Sequence, residues 1–165
     1  QWYRTHREAV FAFLCHFCHH YQEAEDLLQE TFLKMYRAIE GGEEIREPRQ
    51  WLLRVAYRAA TDGWRRSRLL RWVALTQLSR DPEETHNETD VGEREAITRV
   101  LRQLPGDQRA CLLLREQEGL SYQEIATALG LSLGAVKMKL LRARERFKVL
   151  YLAQSDDTHR KGARA

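Results

Sequence analysis

Residues 120 to 147 read LSYQEIATALGLSLGAVKMKLLRARERF, and this stretch decides the fold because it predicts two helices joined by a tight turn. Ser121 and Glu124 have the spacing of a capping box, in which each side chain accepts a hydrogen bond from the other residue's backbone amide. A helix should therefore begin at Tyr122. Gly130 lies where a glycine can end that helix in the left-handed conformation without a Cβ clash.

A second helix is predicted to begin after Ser132, which is placed to cap it. Spacings of four, three and four residues put the apolar positions on one side, at Val136, Leu140, Ala143 and Phe147. The other side is expected to carry cations, at Lys137, Lys139, Arg142, Arg144, Arg146 and Lys148. Glu145 is the one acid among them.

This pattern has two interpretations. It is typical of a helix-turn-helix, whose second helix enters the major groove of DNA. It is also compatible with an ordinary helical hairpin that has a solvated charged face. A solvated face usually mixes both signs of charge, whereas this one is nearly all positive, which favours a surface that follows phosphates.

Composition and charge distribution narrow the class of protein. The 165 residues are 43% hydrophobic and 31% charged, with no apolar run long enough for a membrane span and no charged-then-apolar leader. We expect a cytoplasmic protein, although Gln1 leaves the natural start open. Basic residues concentrate at 49–71 and 137–148 and acids at 23–30 and 81–95, which indicates partners of two kinds. The 3 Cys show no disulfide spacing, so we expect reduced thiols.

The N-terminal segment predicts an amphipathic core helix, with apolar residues at Val10, Phe13, Leu14 and Phe17. It runs into the sequence CHFCHH at 15–20, whose thiols and imidazoles are of the kind that bind zinc. Structural zinc sites draw ligand pairs from two separated segments, and no second Cys or His cluster follows. We therefore expect no metal, with Cys15 and Cys18 acting as small core residues.

Residues 23 to 39, EAEDLLQETFLKMYRAI, predict a helix with acids in its first turn. Its apolar residues lie on more than one side, at Leu27, Leu28, Phe32, Leu33, Met35, Tyr36 and Ile39. The surplus, mixed with Asp26, Gln29 and Glu30, indicates either a surface kept for a protein partner or a helix packed by two neighbours.

Gly41 and Gly42 should end that helix, and Pro48 suits the first turn of the next one, predicted over 49–66. We expect this helix to bury Trp51, Leu52, Val55, Ala56 and Ala59. We expect it to expose Arg54, Tyr57, Arg58, Trp64, Arg65 and Arg66. Cations interleaved with aromatics can hold phosphates and stack unpaired bases, and the alternative is a charged helix with an aromatic core edge.

Residues 79–95, SRDPEETHNETDVGERE, are polar and acidic and cannot form a core, so they indicate a linker between two small helical domains. Beyond it, Ile97, Val100, Leu101 and Leu104 begin a second core, and Pro105 opens a further helix. The sequence thus predicts an all-α protein divided as 1–72, a flexible linker at 73–95, a second domain at 96–153 and a disordered tail at 154–165.

Taken in order, these segments resemble a bacterial sigma factor of the extracytoplasmic-function group in the sigma-70 family. The matching segments are Glu23 to Phe32, Trp51 to Ala56 with Arg65 to Arg68, Leu104 to Arg109, and Gly119 to Arg146. The likeness covers most of residues 10–150. It implies that the first domain resembles sigma region 2, which binds core polymerase and melts the minus-ten element. The second domain would resemble region 4, which reads the minus-thirty-five element.

The resemblance implies a role for three sets of residues. Those facing the polymerase would be Asp26, Gln29, Glu30, Phe32 and Tyr36. Those at the minus-ten DNA would be Arg46, Arg49, Arg54, Tyr57, Arg58, Arg65 and Arg66. Those at the minus-thirty-five DNA would be Ser132, Gly134, Ala135, Lys137, Met138, Leu141 and Arg142.

The chain departs from the family pattern at residues that would contact DNA bases. Met138 and Leu141 are apolar and offer contact with thymine methyl groups rather than hydrogen bonds, and Tyr57 and Arg58 replace a commoner Arg-Asn pair. The promoter sequence therefore stays open.

The implied partners are the clamp and flap of RNA polymerase core, promoter DNA, and a membrane-bound or soluble anti-sigma factor. No cofactor, no catalysis and no direct membrane insertion are expected, and a metal- or envelope-stress regulon is a hypothesis. A stand-alone helix-turn-helix repressor or activator is the alternative, but it would leave the first domain without a task. A flexible linker would also let the two domains pack together when no promoter is bound.

Overall fold

The structure, a computed structural model, describes residues 2–18, 20–74 and 91–162, with side chains at 2–18, 20–62 and 93–154. Every regular element in these ranges is a helix, so the predicted all-α fold is confirmed. The helices are α1 Trp2–Phe17, α2 Tyr21–Glu40, α3 Pro48–Ala74, α4 Val91–Arg102, α5 Gly106–Glu116, α6 Tyr122–Leu129 and α7 Leu133–Gly162. None of the helices in these ranges is both long enough and apolar enough for a membrane crossing.

Helices α1, α2 and α3 pack on one another to form the first domain. The predicted core residues of α1, Val10, Phe13, Leu14 and Phe17, are all buried. In α3 the buried set is Leu52, Leu53, Ala56, Ala59 and Ala60, whereas Trp51 and Val55 are half-buried. The prediction for α3 was therefore wrong at four positions. The reason is that α3 packs against both α1 and α2, so its buried face is wider than one apolar stripe.

The turn between α2 and α3 forms where the glycine pair and the proline predicted it. Gly42 takes a positive φ of 83°, and Pro48 is the first residue of α3. Trp51 Nε1 donates a hydrogen bond to Glu43 Oε1 at 3.0 Å, which fastens the loop to the helix.

Helices α4 to α7 form the second domain, whose core includes Val136, Leu140 and Ala143 of α7. Phe147 is half-buried against this core, so the inward positions read from the sequence are found. Ordered helix reaches further than we expected at both ends: α4 begins at Val91, inside the stretch 73–95, and α3 runs to Ala74. Residues 75–90 of the expected linker lie outside the described residues.

Helix α7 continues to Gly162, so the segment expected to be a disordered tail from 154 is helical over most of its length. Phe147 and Leu150 pack against the core, and the Tyr151 ring stacks on Phe147 with 5.8 Å between ring centroids. These contacts carry helical structure past the helix-turn-helix, and extending an existing helix is easier than starting one.

The two domains also pack on each other, with α1 against α4 and α5 and α3 against α6. This arrangement brings residues far apart in sequence into direct contact. It determines which of the predicted functional side chains are accessible.

Candidate nucleic-acid and polymerase interfaces

The first helix of the helix-turn-helix is held at both ends by local hydrogen bonds. Ser121 Oγ accepts from the Glu124 amide at 3.2 Å, and Glu124 Oε2 accepts from the Ser121 amide at 2.6 Å. Hydrogen bonds from the side chain and backbone amide of Ser121 to the Glu124 carboxylate lower the pKa of that carboxyl, because they stabilise its ionised form. At the other end Gly130 has φ of 68°, and the Leu131 amide donates to the Ala126 carbonyl at 2.9 Å.

The second helix, α7, presents the predicted minus-thirty-five residues on one accessible side. Ser132 Oγ accepts from the Ala135 amide at 3.2 Å and caps the helix. Met138 is 48% exposed and Leu141 is 51% exposed. The exposed residues of the set are Ser132, Gly134, Lys137, Met138, Leu141 and Arg142, and Ala135 is half-buried. Val136 and Leu140 hold the opposite side of the helix in the core.

Two of the cations expected on the outer side of α7 face α5 instead. Lys139 pairs with Asp107, and Arg144 Nη2 lies 2.6 Å from Glu116 Oε1. The physical reason is that α5 packs along α7 and presents acids at its edge. Arg144 stays exposed while paired, and the other exposed cations of this side are Lys137, Arg142, Arg146 and Lys148.

Helix α2 presents the predicted polymerase-facing residues beside apolar ones. Asp26, Gln29 and Glu30 are exposed, and Tyr36 is 59% exposed. Leu33, which the predicted set omits, is 54% exposed one turn beyond Gln29. Its place in the apolar surplus of α2 was the signal that could have identified it.

Phe32 differs from the rest of that set. It is half-buried, and its ring meets Tyr3 edge-on with 4.7 Å between centroids. It thus joins α2 to the start of α1 rather than standing free.

The predicted minus-ten residues are less uniformly accessible. Arg46 and Arg58 are exposed, whereas Arg54 is half-buried in a cleft of about 270 Å³ between the α2–α3 loop and α6. Tyr57, which we expected to be exposed, is half-buried because the end of α1 lies beside it. Its ring packs edge-on against Phe17 with 5.7 Å between centroids. The side chains of Trp64, Arg65 and Arg66 lie outside the described residues.

Arg49 reaches the second domain. Its Nη2 lies 2.6 Å from Glu118 Oε2, and the Glu118 side chain is 3% exposed. The neighbouring Gln50 Nε2 donates to Glu124 Oε1 at 2.6 Å. Neither Glu118 nor Gln50 carries a recognisable sequence signal, because the contacts span 69 and 74 residues.

Arg109 is the largest fully buried side chain in the described part of the protein and joins α5 to α1. Its Nη1 donates to the Phe17 carbonyl at 2.8 Å, and its guanidinium lies 5.1 Å from the centre of the Phe17 ring. Phe17 is the last residue of α1, so its carbonyl has no acceptor role inside that helix. Burial lowers the pKa of Arg109.

The Cys/His stretch lies at the end of α1. Cys18 is buried and Cys15 half-buried, and His16 Nδ1 lies 2.9 Å from the Ala12 carbonyl. Burial, reinforced by Glu23, raises the pKa of the Cys18 thiol to about 12. Within the described residues, no group of three or more His, Cys, Asp or Glu side chains is placed to hold a metal ion. His19 lies outside those residues, and the absence of a metal stays a prediction.

The fold and these surfaces define a two-domain helical protein with a helix-turn-helix. Its residues 2–69 match the family model for sigma-70 region 2, and residues 94–147 match that for sigma-70 region 4. The sequence is 31% identical to the RNA polymerase sigma factor YlaC of Bacillus subtilis, over 88% of this chain and 87% of that protein. It is 28% identical to the ECF RNA polymerase sigma factor SigE of Mycolicibacterium smegmatis, over 94% of this chain but only 62% of that relative's length.

Among solved structures, the sigma factor RpoE of Bartonella quintana, in complex with the anti-sigma factor NepR, has the same fold. The TM-score is 0.78 at 22% identity, over 90% of this chain and 92% of that one. The chain therefore belongs to the sigma-70 family of RNA polymerase sigma factors, in the extracytoplasmic-function group.

Proposed function

We propose that this protein binds RNA polymerase core through the exposed face of α2 and directs it to promoters. In this proposal the outer side of α7 reads the minus-thirty-five element. The loop before α3 and the exposed residues of α3 capture the unpaired minus-ten strand. One observation carries the proposal. A single chain that matches both sigma regions has an accessible basic face on α7 and a separate acidic and apolar face on α2.

The side of α7 has the properties that base reading requires. A capped helix holds its first turns rigidly, and Lys137 and Arg142 flank the apolar pair Met138 and Leu141 on the accessible side. Such cations attract phosphates or bond to base edges, while apolar groups contact thymine methyls.

The face of α2 has the properties of a protein-binding surface. Asp26, Gln29 and Glu30 lie in the turns of α2 before Leu33 and Tyr36, which are each more than half exposed. An aromatic and an aliphatic anchor with charged residues at the rim is a common composition for a protein interface. We assign this face to the polymerase clamp.

Membership of the family supports proposals for how the protein is regulated and where it acts. An anti-sigma factor would hold the protein inactive, as the complex with NepR supports for the Bartonella relative. The protein would act in the cytoplasm, without catalysis of its own, because it positions an enzyme rather than performing a reaction. The boundaries 1–72 for the region 2-like domain and 96–153 for the region 4-like domain form part of this proposal.

The test is binding to purified polymerase core, measured with the wild-type chain and with Asp26→Lys. We expect nanomolar to micromolar binding by the wild type and a loss of about tenfold in Asp26→Lys, which corresponds to ~1.4 kcal/mol. Glu8→Lys, a charge reversal at an exposed position of α1, is the matched control and should bind as the wild type does.

Asp26 is preferred to Glu30 for this test, because Glu30 Oε1 lies 2.7 Å from Lys34 Nζ and its reversal would create repulsion within α2. Failure of the wild type to bind core would contradict the proposal and leave a stand-alone helix-turn-helix regulator. Equal binding by Asp26→Lys would remove α2 from the interface.

A further inference from the structure

A cavity bordered by α4, α5 and α7 lies apart from every surface assigned so far. Its volume is about 540 Å³, within the range of sites that hold small organic molecules. His16, at the end of α1, also lines it. None of the residues that line it belongs to the sets proposed for polymerase or DNA. The proposed function therefore leaves this cavity without a role.

The floor of the cavity is apolar and includes an aromatic ring. It is formed by four aliphatic side chains and one phenylalanine, namely Ile97, Leu101, Leu112, Leu113 and Phe147. The three leucines are buried, and the Tyr151 ring holds Phe147 from the side by stacking on it. A floor fixed in this way is preformed, and an apolar molecule that covers it removes its surface from water.

A charged pair at the mouth of the cavity presents a carboxylate oxygen. Arg144 Nε and Nη2 both donate to Glu116 Oε1, at 3.1 and 2.6 Å. This arrangement leaves Oε2 of Glu116 as an acceptor, whereas those two donors of Arg144 are already used. Both side chains are about half exposed, so they lie at the mouth and not in the apolar floor.

His16 and Gln117 add two further acceptors to the lining. His16 Nδ1 lies 2.9 Å from the Ala12 carbonyl. Because a carbonyl can only accept, Nδ1 carries the hydrogen, and Nε2 of the neutral ring is an acceptor. Gln117 Nε2 donates to Glu118 Oε1 at 3.0 Å, which leaves its own Oε1 as an acceptor. The polar lining therefore favours a ligand that donates hydrogen bonds over an anion, which only accepts them.

We propose that this cavity binds a small organic molecule with an apolar, partly aromatic body and a protonated amine. The body covers the floor and stacks on Phe147, and the amine donates to Glu116 Oε2. A helical protein segment fits less well, because two turns of helix with side chains form a cylinder about 10 Å wide and 11 Å long, or roughly 850 Å³. The chain then carries a small-molecule site besides its protein and nucleic-acid surfaces.

The test compares two probes that share one body, naphthylmethylamine and naphthylacetate. Their Kd values for the full chain are measured by ligand-observed NMR titration. We expect the amine to bind with a Kd of about 0.1 to 1 mM, as suits a fragment-sized ligand. The acetate should bind at least about fivefold more weakly, because the lining offers it acceptors rather than donors.

Glu116→Gln tests the chemistry of the mouth. It removes the charge that receives the amine and releases Arg144, so it should weaken the amine about fivefold and tighten the acetate. Glu95→Gln is the matched control, because Glu95 is an exposed acid of α4 outside the lining. It should leave both Kd values at those of the wild type.

Ile97→Trp tests the place of binding, because the larger side chain fills part of the cavity. It should weaken the amine more than about tenfold. Val149→Trp introduces the same side chain on α7 outside the lining, where Val149 is 67% exposed, and should keep wild-type binding. If Ile97→Trp loses helicity by circular dichroism, the wild type carries this test. The NMR signals of the His16 ring and the Gln117 side-chain amide should then move as naphthylmethylamine is added.

Equal Kd values for the two probes would mean an adventitious apolar contact and would overturn the inference. Binding of neither probe would overturn it too, and would leave the cavity to a protein partner. Retained binding in a folded Ile97→Trp, or unmoved signals of His16 and Gln117, would place the probe elsewhere and contradict the site. These readouts involve neither polymerase nor DNA, so their failure leaves the proposed function standing.

Discussion

At the scale of single residues, the accessible side of α7 is unusual because its centre is apolar. Met138 and Leu141 lie one turn apart and are each about half exposed, between Lys137 and Arg142. The methyl group of thymine is the apolar group that the major groove presents. A recognition helix with this composition should read thymines by contact and by the exclusion of water rather than by hydrogen bonds.

This predicts a preference for thymine over uracil in the minus-thirty-five element. Replacing thymine by deoxyuridine removes only the methyl group, so each contacted position should weaken binding about three- to fourfold, from ~0.8 kcal/mol per buried methyl. The measurement is a set of binding curves with core polymerase on promoter fragments that contain either base. The double variant Met138→Ala with Leu141→Ala should no longer distinguish them.

Leu152→Ala is the control for that experiment. Leu152 is 54% exposed on the same side of α7 but about 16 Å further along the helix, beyond the reach of the groove that the first turns enter. It should keep the full preference for thymine. Equal binding of both fragments by the wild type would show that Met138 and Leu141 do not read methyl groups.

At the scale of elements, the turn between α6 and α7 sets the angle between these two helices. Gly130 has φ of 68°, and a Cβ built there would meet no atom within 4 Å. The requirement for glycine at this position is therefore conformational and not steric. The turn, together with the caps at Ser121 and Ser132, is a local device that the sequence specifies completely.

Gly130→Ala should lower the free energy of unfolding by about 1 to 2 kcal/mol, the cost of the left-handed conformation for a residue with a Cβ. Gly130→Asn should cost less, because asparagine tolerates that conformation. Urea unfolding followed by circular dichroism measures both. Gly134→Ala, in the first turn of α7 and equally uncrowded, is the control and should be neutral or slightly stabilising. A neutral Gly130→Ala would mean that the turn adopts another conformation.

At the scale of the whole molecule, Arg109 couples the stability of the two domains. It is 2% exposed, belongs to the second domain and bonds to the last carbonyl of α1. The four tryptophans of the chain, Trp2, Trp51, Trp64 and Trp72, all lie in the first-domain segment. Their fluorescence therefore reports the unfolding of one domain while the substitution is made in the other.

Arg109→Met should shift the tryptophan-monitored urea transition to lower concentration, by about 1.5 to 3 kcal/mol for the lost charged hydrogen bond. Methionine keeps most of the buried volume, so cavity effects are small. Arg115→Met is the matched control, because Arg115 Nη1 donates to the Leu120 carbonyl of its own domain at 2.9 Å. That variant should shift the tryptophan transition much less than Arg109→Met does, because the bond it removes does not cross between the domains. An unshifted transition in Arg109→Met would mean that the domains unfold independently.

The features that the sequence by itself determined are local. The capping box of Ser121 and Glu124, the glycine turn at Gly130 and the inward positions of α7 follow from hydrogen bonds and periodicities within a few residues. The order of the motifs was sufficient to identify both sigma regions. The accessible side of α7 and the acidic face of α2 were also predicted nearly in full, because a helix with one buried stripe leaves its opposite side exposed.

Only the tertiary structure decided which partners the long side chains contact on other helices. Lys139 turns to Asp107, Arg49 to Glu118 and Arg109 to Phe17, across separations of 32, 69 and 92 residues. Leu53 and Ala60 are buried because α3 packs against more than one neighbouring helix. Periodicity states which side of a helix is apolar, but not which helix covers it or which charge faces it. Those depend on how the helices and the two domains pack, and packing is settled by the shapes and charges of both partners at once.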